Sequence, residues 1–295
     1  MRNVTLKREW VLGWLLLLPS MVLLFAFTHI PAVTTFLNSF YSTPRGRRAA
    51  KFIGAENYER MLGDPVFWQV LWNNLWFALG TIPVSIALAL VMALWVNDRL
   101  AGRGFVRMAY FTPTVLPMIA VANIWLFFYT PGFGLFDQIT GTLFGWPATN
   151  YLGSPETALN AVIVVTVWKE AGFFMIFYLA ALQSIPQSLK EAAQIEGANR
   201  WTIFWRITFP LLMPTTLFVS VNAVINSFRL VDHIFILTDG GPNNASALLL
   251  FHIYEVAFQH WETAYAATLT VALLLILCLL AIGQFFFVDR KVHYK

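Results

Sequence analysis

The stretch EAAQIEGANRWTIFWRITFPLLMP, Glu191–Pro214, decides how this chain is read. It opens polar and written like a helix, and it runs into an apolar segment at Ile207. Ser188, just upstream, fits a helix N-cap, and Leu189 to Ile195 contains strong helix formers. Glu191 falls early in that helix, where the dipole favours an anion. Gly197 fits the stop, because glycine takes the left-handed conformation without steric penalty. The spacing therefore predicts a short helix, a glycine turn and an amphipathic approach to an apolar span that carries Pro210 and Pro214.

The chain around this insert is far more apolar than the insert itself. Of its 295 residues, 58% are hydrophobic and only 12% are charged, with 27 Phe and 12 Trp. A soluble domain carries about 25% charged residues, so the composition places the chain in the membrane class. A hydrocarbon core of about 30 Å needs about 20 mostly apolar helical residues. Six segments qualify, at about 10–30, 70–96, 108–130, 157–182, 207–236 and 263–287. The expected fold is all-α, a single polytopic transmembrane domain over 1–295, with the insert at about 186–206 between the fourth and fifth spans. The first apolar run is too long for a signal-peptide core and no small-x-small cleavage site follows it, so it reads as a retained span. Pro19, Pro83, Pro113, Pro117, Pro210 and Pro214 sit within spans, where packed neighbours can satisfy freed backbone groups.

Six spans put both termini on one side, and the cations choose which. With the termini cytoplasmic, the inner segments hold Arg2, Lys7, Arg8, Arg99, Arg103, Arg107, Lys190, Arg200, Arg206, Arg290, Lys291 and Lys295. The outer segments hold Arg45, Arg47, Arg48, Lys51 and Arg60, all in the first outer loop, and the loops near 131–156 and 238–262 hold none. The positive-inside bias favours cytoplasmic termini, with the RGRR cluster as a local counter-signal. The net charge of +4 is thus a matter of topology, and no basic patch on a polar face points to nucleic acid. The single Cys278 excludes an intrachain disulfide and a cysteine metal site. The five His residues show no metal-ligand spacing, and His252 and His260 read as scattered polar surface near an outer loop. No G-x-S-x-G, no H-E-x-x-H and no G-x-x-x-x-G-K-S/T occurs, so an intramembrane hydrolase has no visible nucleophile or metal, and ATP has no phosphate loop. The energy for any transport must come from another subunit or an ion gradient.

Leu189, Ala192, Ala193 and Ile195 give the insert helix a small, smooth face suited to a groove on a partner protein. The alternative is an interfacial helix lying on the bilayer, but Trp, Phe and Leu are scarce before Trp201. Glu191-Ala192-Ala193, Gly197, Ile207, Pro210 and Pro214 together resemble the EAA signature of ATP-binding-cassette importer permeases. Glu196 stands where Asp is commoner and Phe209 where Leu is usual. PTVLP at 113–117, VVTVWKEAGFFMIFYLAALQSIP at 164–186 and LTDGGPNNAS at 237–246 are similar to the carbohydrate-uptake branch, nearest the first permease of the glycerol-3-phosphate and maltose type.

That resemblance implies a type I importer fold in a bacterial inner membrane. It also implies a second permease subunit, two ATPase subunits that bind ATP and magnesium, and a periplasmic or lipid-anchored solute-binding protein. No cofactor would bind this chain directly, and it would not itself be an enzyme. Glu191, Ala192, Ala193, Glu196, Gly197 and Pro210 would couple to the ATPase, and the region of GGPNNAS at 240–246 would face the binding protein. By similarity to the maltose-transporting relative, the solute pathway falls on Thr114, Met118, Thr166, Lys169, Glu170, Ala223, Asn226, Ser227 and Leu230. Intramembrane charges are functional candidates by default. Lys169 would suit an anionic group and Glu170 a hydroxyl-rich sugar, but neighbours on a helix do not face the same spot. Interhelical ion pairs or hydrogen bonds are the other role open to both. Asn123, Asn222 and Asn226 could equally join helix to helix, and Arg229 with Asp232, three apart, is read as a structural pair. The rival function is a secondary transporter driven by an ion gradient, which would call for inverted repeats and a carboxylate ion site.

Overall fold

A computed structural model describes residues 2–97 and 103–289. Arg99, Arg290, Lys291 and Lys295, used above to orient the chain, lie outside the described residues. The helices, in order, are α1 (Arg2–Leu24), α2 (Ile30–Asn38), α3 (Glu56–Gly63), α4 (Pro65–Asn97), α5 (Arg103–Val115), α6 (Met118–Phe128) and α7 (Leu135–Phe144). They continue as α8 (Ala158–Ser184), α9 (Gln187–Ile195), α10 (Arg200–Ile203), α11 (Phe209–Arg229), α12 (Asp232–Leu237), α13 (Leu249–Tyr254) and α14 (Thr263–Asp289). Single π-helical turns at Phe25–His29, Phe204–Thr208 and Glu255–Gln259 join α1 to α2, α10 to α11 and α13 to the loop before α14. Among the described residues no strand forms beyond two isolated bridges, Tyr41 with Phe52 and Arg45 with Arg48.

Among the described residues, five continuous helical stretches are long and apolar enough to cross a membrane: Trp10–Asn38, Pro65–Asn97, Ala158–Ser184, Arg200–Arg229 and Thr263–Gln284. A sixth crossing is supplied by α5 and α6 if the pair is taken together, but their axes meet at 102°. The third span is therefore broken where the sequence reads as one run. Pro117 explains the break. It lacks the N–H that a helix would donate to the Pro113 carbonyl, and it biases Leu116 away from helical geometry, whereas Pro113 is accommodated inside α5. The fifth stretch also differs from the expected 207–236. It begins at Arg200 and ends at Arg229, because Leu230 is extended at φ −80°, ψ 112°. That break removes the one-turn relation between Arg229 and Asp232, and no ion pair forms between them.

The chain divides into two compact units, one of Met1–Asp64 with Ile253–Leu274 and one of Pro65–His252 with Leu275–Lys295. In the larger unit α8 lies along α4, with α11 against both, α5 against α8 and α12 against α6. Small residues make this close packing possible. Ser85, Ala89 and Ala93 recur every four residues on α4 and are essentially buried. Without a hydrophobic drive between helices in lipid, such small-residue stripes let backbones approach until dispersion contacts accumulate. Phe174, Met175, Tyr178 and Leu182 of α8 and Leu212, Val219 and Ala223 of α11 complete that core. Gly172 serves α5 in the same way, since a Cβ there would stand 2.2 Å from the Tyr110 carbonyl oxygen.

In the smaller unit, Trp10–Asn38 has no buried residue. Its polar anchor lies just beyond. The Ser39 hydroxyl lies 2.7 Å from the Tyr58 hydroxyl, and Asn57 donates to the Ser39 and Tyr41 carbonyls at 2.9 Å each. Thr268 of α14 donates to the same Ser39 carbonyl at 3.3 Å.

Candidate functional site

The polar insert forms α9, and it starts one residue before the expected cap. Pro186 occupies the N-cap position and Ser188 lies inside the first turn without capping, because Pro186 already sets the extended geometry that starts the helix. At the other end Gly197 takes φ +82°. There the Ala198 N–H donates to the Ala193 carbonyl at 2.9 Å and the Gly197 N–H to the Gln194 carbonyl at 3.0 Å, closing carbonyls that a helix end would otherwise leave bare. The next helix begins at once, with the Asn199 side chain accepting from Thr202 N at 2.8 Å as an N-cap. The turn between α9 and α10 is thus fixed at both edges. Its apolar side chains find no cover in the described chain: Ile195 is 89% exposed and Leu189 44%. Glu191, Ala192 and Glu196 are exposed, Ala193 is partly covered, and Pro210 is exposed at the start of α11. Behind α9, a cavity of about 610 Å³ is lined by Lys190, Gln194 and Arg200 among others.

At mid-span the structure separates Lys169 from Glu170. The Lys169 Nζ donates to the carbonyls of Leu116, Pro113 and Thr114 at 2.5, 3.0 and 3.4 Å. The Pro113 carbonyl would take its helical bond from residue 117, which is Pro117 and has no N–H. Lys169, reaching from α8, supplies the donor that proline withholds, and its charge lies against the negative end of α5. The contacts Lys169 makes in this structure are interhelical ones. Thr114 and Met118 flank the same bend. Met118 is buried, and the Thr114 hydroxyl is buried without a partner among the described residues.

Glu170 points elsewhere, as adjacent helical residues must. Its Oε2 accepts from Asn226 Nδ2 of α11 at 2.8 Å. Thr166, Glu170, Ala223, Asn226, Ser227 and Leu230 line one cleft with Thr81, Ile82, Ser85 and Phe174. The space inside is about 10 Å³, which holds one water and no sugar. Ser227 is turned to its own backbone, donating to Val224 at 2.8 Å, and Asn222 does likewise to Phe218 at 2.8 Å. Asn123 also bonds only within its own helix, to Ile119 at 2.8 Å.

Sequence reasoning missed two features here. His233 is fully buried, with Nε2 3.2 Å from the Thr166 hydroxyl and Nδ1 without a partner among the described residues. His252, read as surface, is buried at 7% exposure on α13. Among the described residues no cluster of metal-ligand type forms. The second feature is a set of amides on α4 that hold down the GGPNNAS loop. Gln69 donates to the Asn243 carbonyl at 2.8 Å, and Asn73 donates to those of Asn244 and Ala247 at 2.7 and 3.0 Å. Asn74 accepts from Leu249 N at 3.0 Å and donates to the Ser227 carbonyl at 3.2 Å. Asp239, Gly240, Asn243 and Asn244 all have positive φ, a conformation costing non-glycine residues about 1–3 kcal/mol each unless the surroundings impose it. The Asn-Asn pair at 73–74, polar at bilayer depth, was the available signal.

Comparison with known proteins agrees with this architecture. Residues 85–294 match the family described as the binding-protein-dependent transport system inner membrane component. A trehalose/maltose transport system permease protein of Thermococcus litoralis is 34% identical over 290 residues, covering 96% of this chain and 98% of its own. A lactose transport system permease protein of Rhizobium radiobacter is 34% identical over 292 residues, covering 96% of each. In fold, the chain is similar to one in the crystal structure of a bacterial alginate ABC transporter in complex with an alginate-pentasaccharide-bound periplasmic protein. The TM-score is 0.86 at 22% identity, over 98% of this chain and 97% of that one. Mostly helical, with membrane-length stretches around a lysine-latched bend, this chain belongs to the family of binding-protein-dependent transport system inner membrane components and is a multi-pass permease of the ABC importer class.

Proposed function

We propose that this chain forms half of a translocation pathway for a sugar or sugar-like solute and is driven through α9 by a separate ATPase. The observation that carries the coupling part is the exposed apolar edge of α9, with Ile195 and Leu189 uncovered on a helix whose C-terminal turn is locked by Gly197. An exposed isoleucine beside a rigid polar turn fits a protein groove. The sugar part rests on the two relatives, whose names give trehalose, maltose and lactose.

In this reading both termini and α9 lie in the cytoplasm of a bacterium and the chain sits in its inner membrane. A second permease completes the pathway, two ATPase subunits hold ATP and magnesium, and a solute-binding protein delivers from outside. This chain would do no chemistry itself. Glu191, Ala192, Ala193, Glu196, Gly197 and Pro210 would form the coupling surface. Glu170 and Asn226, with the cleft around them, would meet solute hydroxyls on a face completed by the second permease, because the cleft alone holds no more than one water. Lys169 would shape that face by holding the α5–α6 bend.

The test is reconstitution of the complex and uptake into proteoliposomes with ATP inside. Wild type should co-purify with an ATPase subunit and lose uptake to vanadate, whereas an ion-gradient transporter would respond to an uncoupler and ignore vanadate. Glu191→Lys should abolish ATP-coupled uptake while leaving the helical content unchanged. Undiminished coupling in that variant would remove α9 from the transmission.

A further inference from the structure

The smaller unit carries a basic pocket that the transport reading does not use. It lies just past the end of α2 at Asn38 and beside the start of α14 at Thr263, where two membrane-length helices terminate. The cavity is about 350 Å³ and is lined by Arg45, Arg48, Lys51, Arg60, Glu262 and Tyr265 among others. Glu262 pairs with Arg60 at 2.6 Å and with Arg45 at 3.3 Å, and Arg60 also stacks on the Tyr265 ring at 4.0 Å. One carboxylate thus serves two arginines. Arg48 and Lys51 line the same cavity with no carboxylate partner among the described residues. They are held in place by backbone rather than by ion pairs. Arg45 and Arg48 exchange N–H···O bonds at 3.2 and 3.0 Å around Gly46 at φ +59°, and the Lys51 carbonyl accepts from Ser42 N at 2.8 Å.

Next to this pocket the chain presents aromatic surface. Phe52 is 70% exposed and meets the half-exposed Tyr41 edge-on at 5.5 Å. An exposed tyrosine at the end of a span, here Tyr41, fits the headgroup level of a bilayer, where amphipathic rings collect. Unneutralised cations, a concave site and an aromatic rim at that level share one complement, a phosphate carried on a lipid. We propose that this pocket binds the phosphate of an anionic phospholipid headgroup, with Arg48 and Lys51 as the unpaired donors and Arg45 and Arg60 as the paired, fixed wall. The lipid would tie the end of α2 to the start of α14 from outside the chain, where no buried apolar residue of Trp10–Asn38 does so.

The test uses the full chain purified in nonionic detergent and titrated with tail-labelled phosphatidylglycerol or phosphatidylcholine. Wild type should prefer phosphatidylglycerol. The double variant Arg48→Gln, Lys51→Gln should weaken that binding about thirtyfold, the effect of two juxtamembrane cations, and leave phosphatidylcholine unchanged. The charge-keeping variant Arg48→Lys, Lys51→Arg should restore it. Both leave the Glu262 pairs intact, and an unchanged melting temperature checks the fold. Inorganic phosphate identifies the source: if it binds wild type alone and phosphatidylglycerol shows no preference over phosphatidylcholine, the phosphate chemistry holds and the ligand is the free anion. Equal phosphatidylglycerol binding by wild type and the double variant, or binding of an acidic protein surface with neither phosphate ligand bound, overturns the proposal.

Discussion

Replacing Lys169 with methionine keeps most of the unbranched side chain and removes its charge and its donors. Two carbonyls, those of Leu116 and Pro113, lie within 3.0 Å of Nζ, and the second has no helical donor available because residue 117 is proline. Leaving a buried acceptor unpaired costs about 1–3 kcal/mol, whereas interhelical hydrogen bonds measured inside membranes average about 0.6 kcal/mol and reach about 1.7. Two contacts, one of them without substitute, therefore give a loss of roughly 2 kcal/mol once relief from holding a half-buried charge is set against it. The assay is detergent-induced unfolding in mixed micelles. It is joined by a distance measurement between spin labels at Phe111→Cys and Asn123→Cys in a Cys278→Ser background, which reports the α5–α6 angle. Lys169→Met should be less stable by that amount and should broaden the distance distribution, while Lys169→Arg should recover most of both. Wild-type stability and an unchanged distance, with uptake lost, would refute the latch and return Lys169 to solute contact.

Other expectations follow from single distances. Gly172→Ala places a Cβ against the Tyr110 carbonyl, so α5 must move and stability should fall by about 1–3 kcal/mol in the same unfolding assay. Gly197→Val demands a left-handed β-branched residue and should cost about 1–2 kcal/mol locally, read as faster amide exchange over Gln194–Ala198 and a loss of ATP-coupled uptake larger than that of Gly197→Asn. Asn73→Leu strips two backbone carbonyls of their donor and should free the 239–247 loop, seen as protease cleavage there, with α4 and α8 still protected.

The parts that were legible in the sequence are the local ones. The short helix at α9 and its glycine stop depend on neighbours within a few residues, so composition and spacing suffice. Lys169 remained double-valued because its partners lie on another element, and they become free acceptors only where Pro117 ends that helix. The Arg229–Asp232 pairing failed for a related reason: a one-turn spacing holds only inside an unbroken helix, and Leu230 leaves it without any proline or glycine to announce the exit. The buried amides at Asn73 and Asn74 were hidden by the apolar residues around them. Their targets are main-chain groups of a loop some 170 residues away, which no pattern in α4 encodes.

The uncovered run Trp10–Asn38 has a consequence for how this chain tolerates change. A side chain that touches only lipid is selected for solubility in oil and hardly at all for shape. Leucine, valine, phenylalanine and methionine should exchange freely along that helix without altering the stability of the isolated chain. Any position there that resists exchange must take its constraint from another molecule. A saturation library over this one span, scored first for folding and then for transport, would draw the footprint of that neighbour in sequence space.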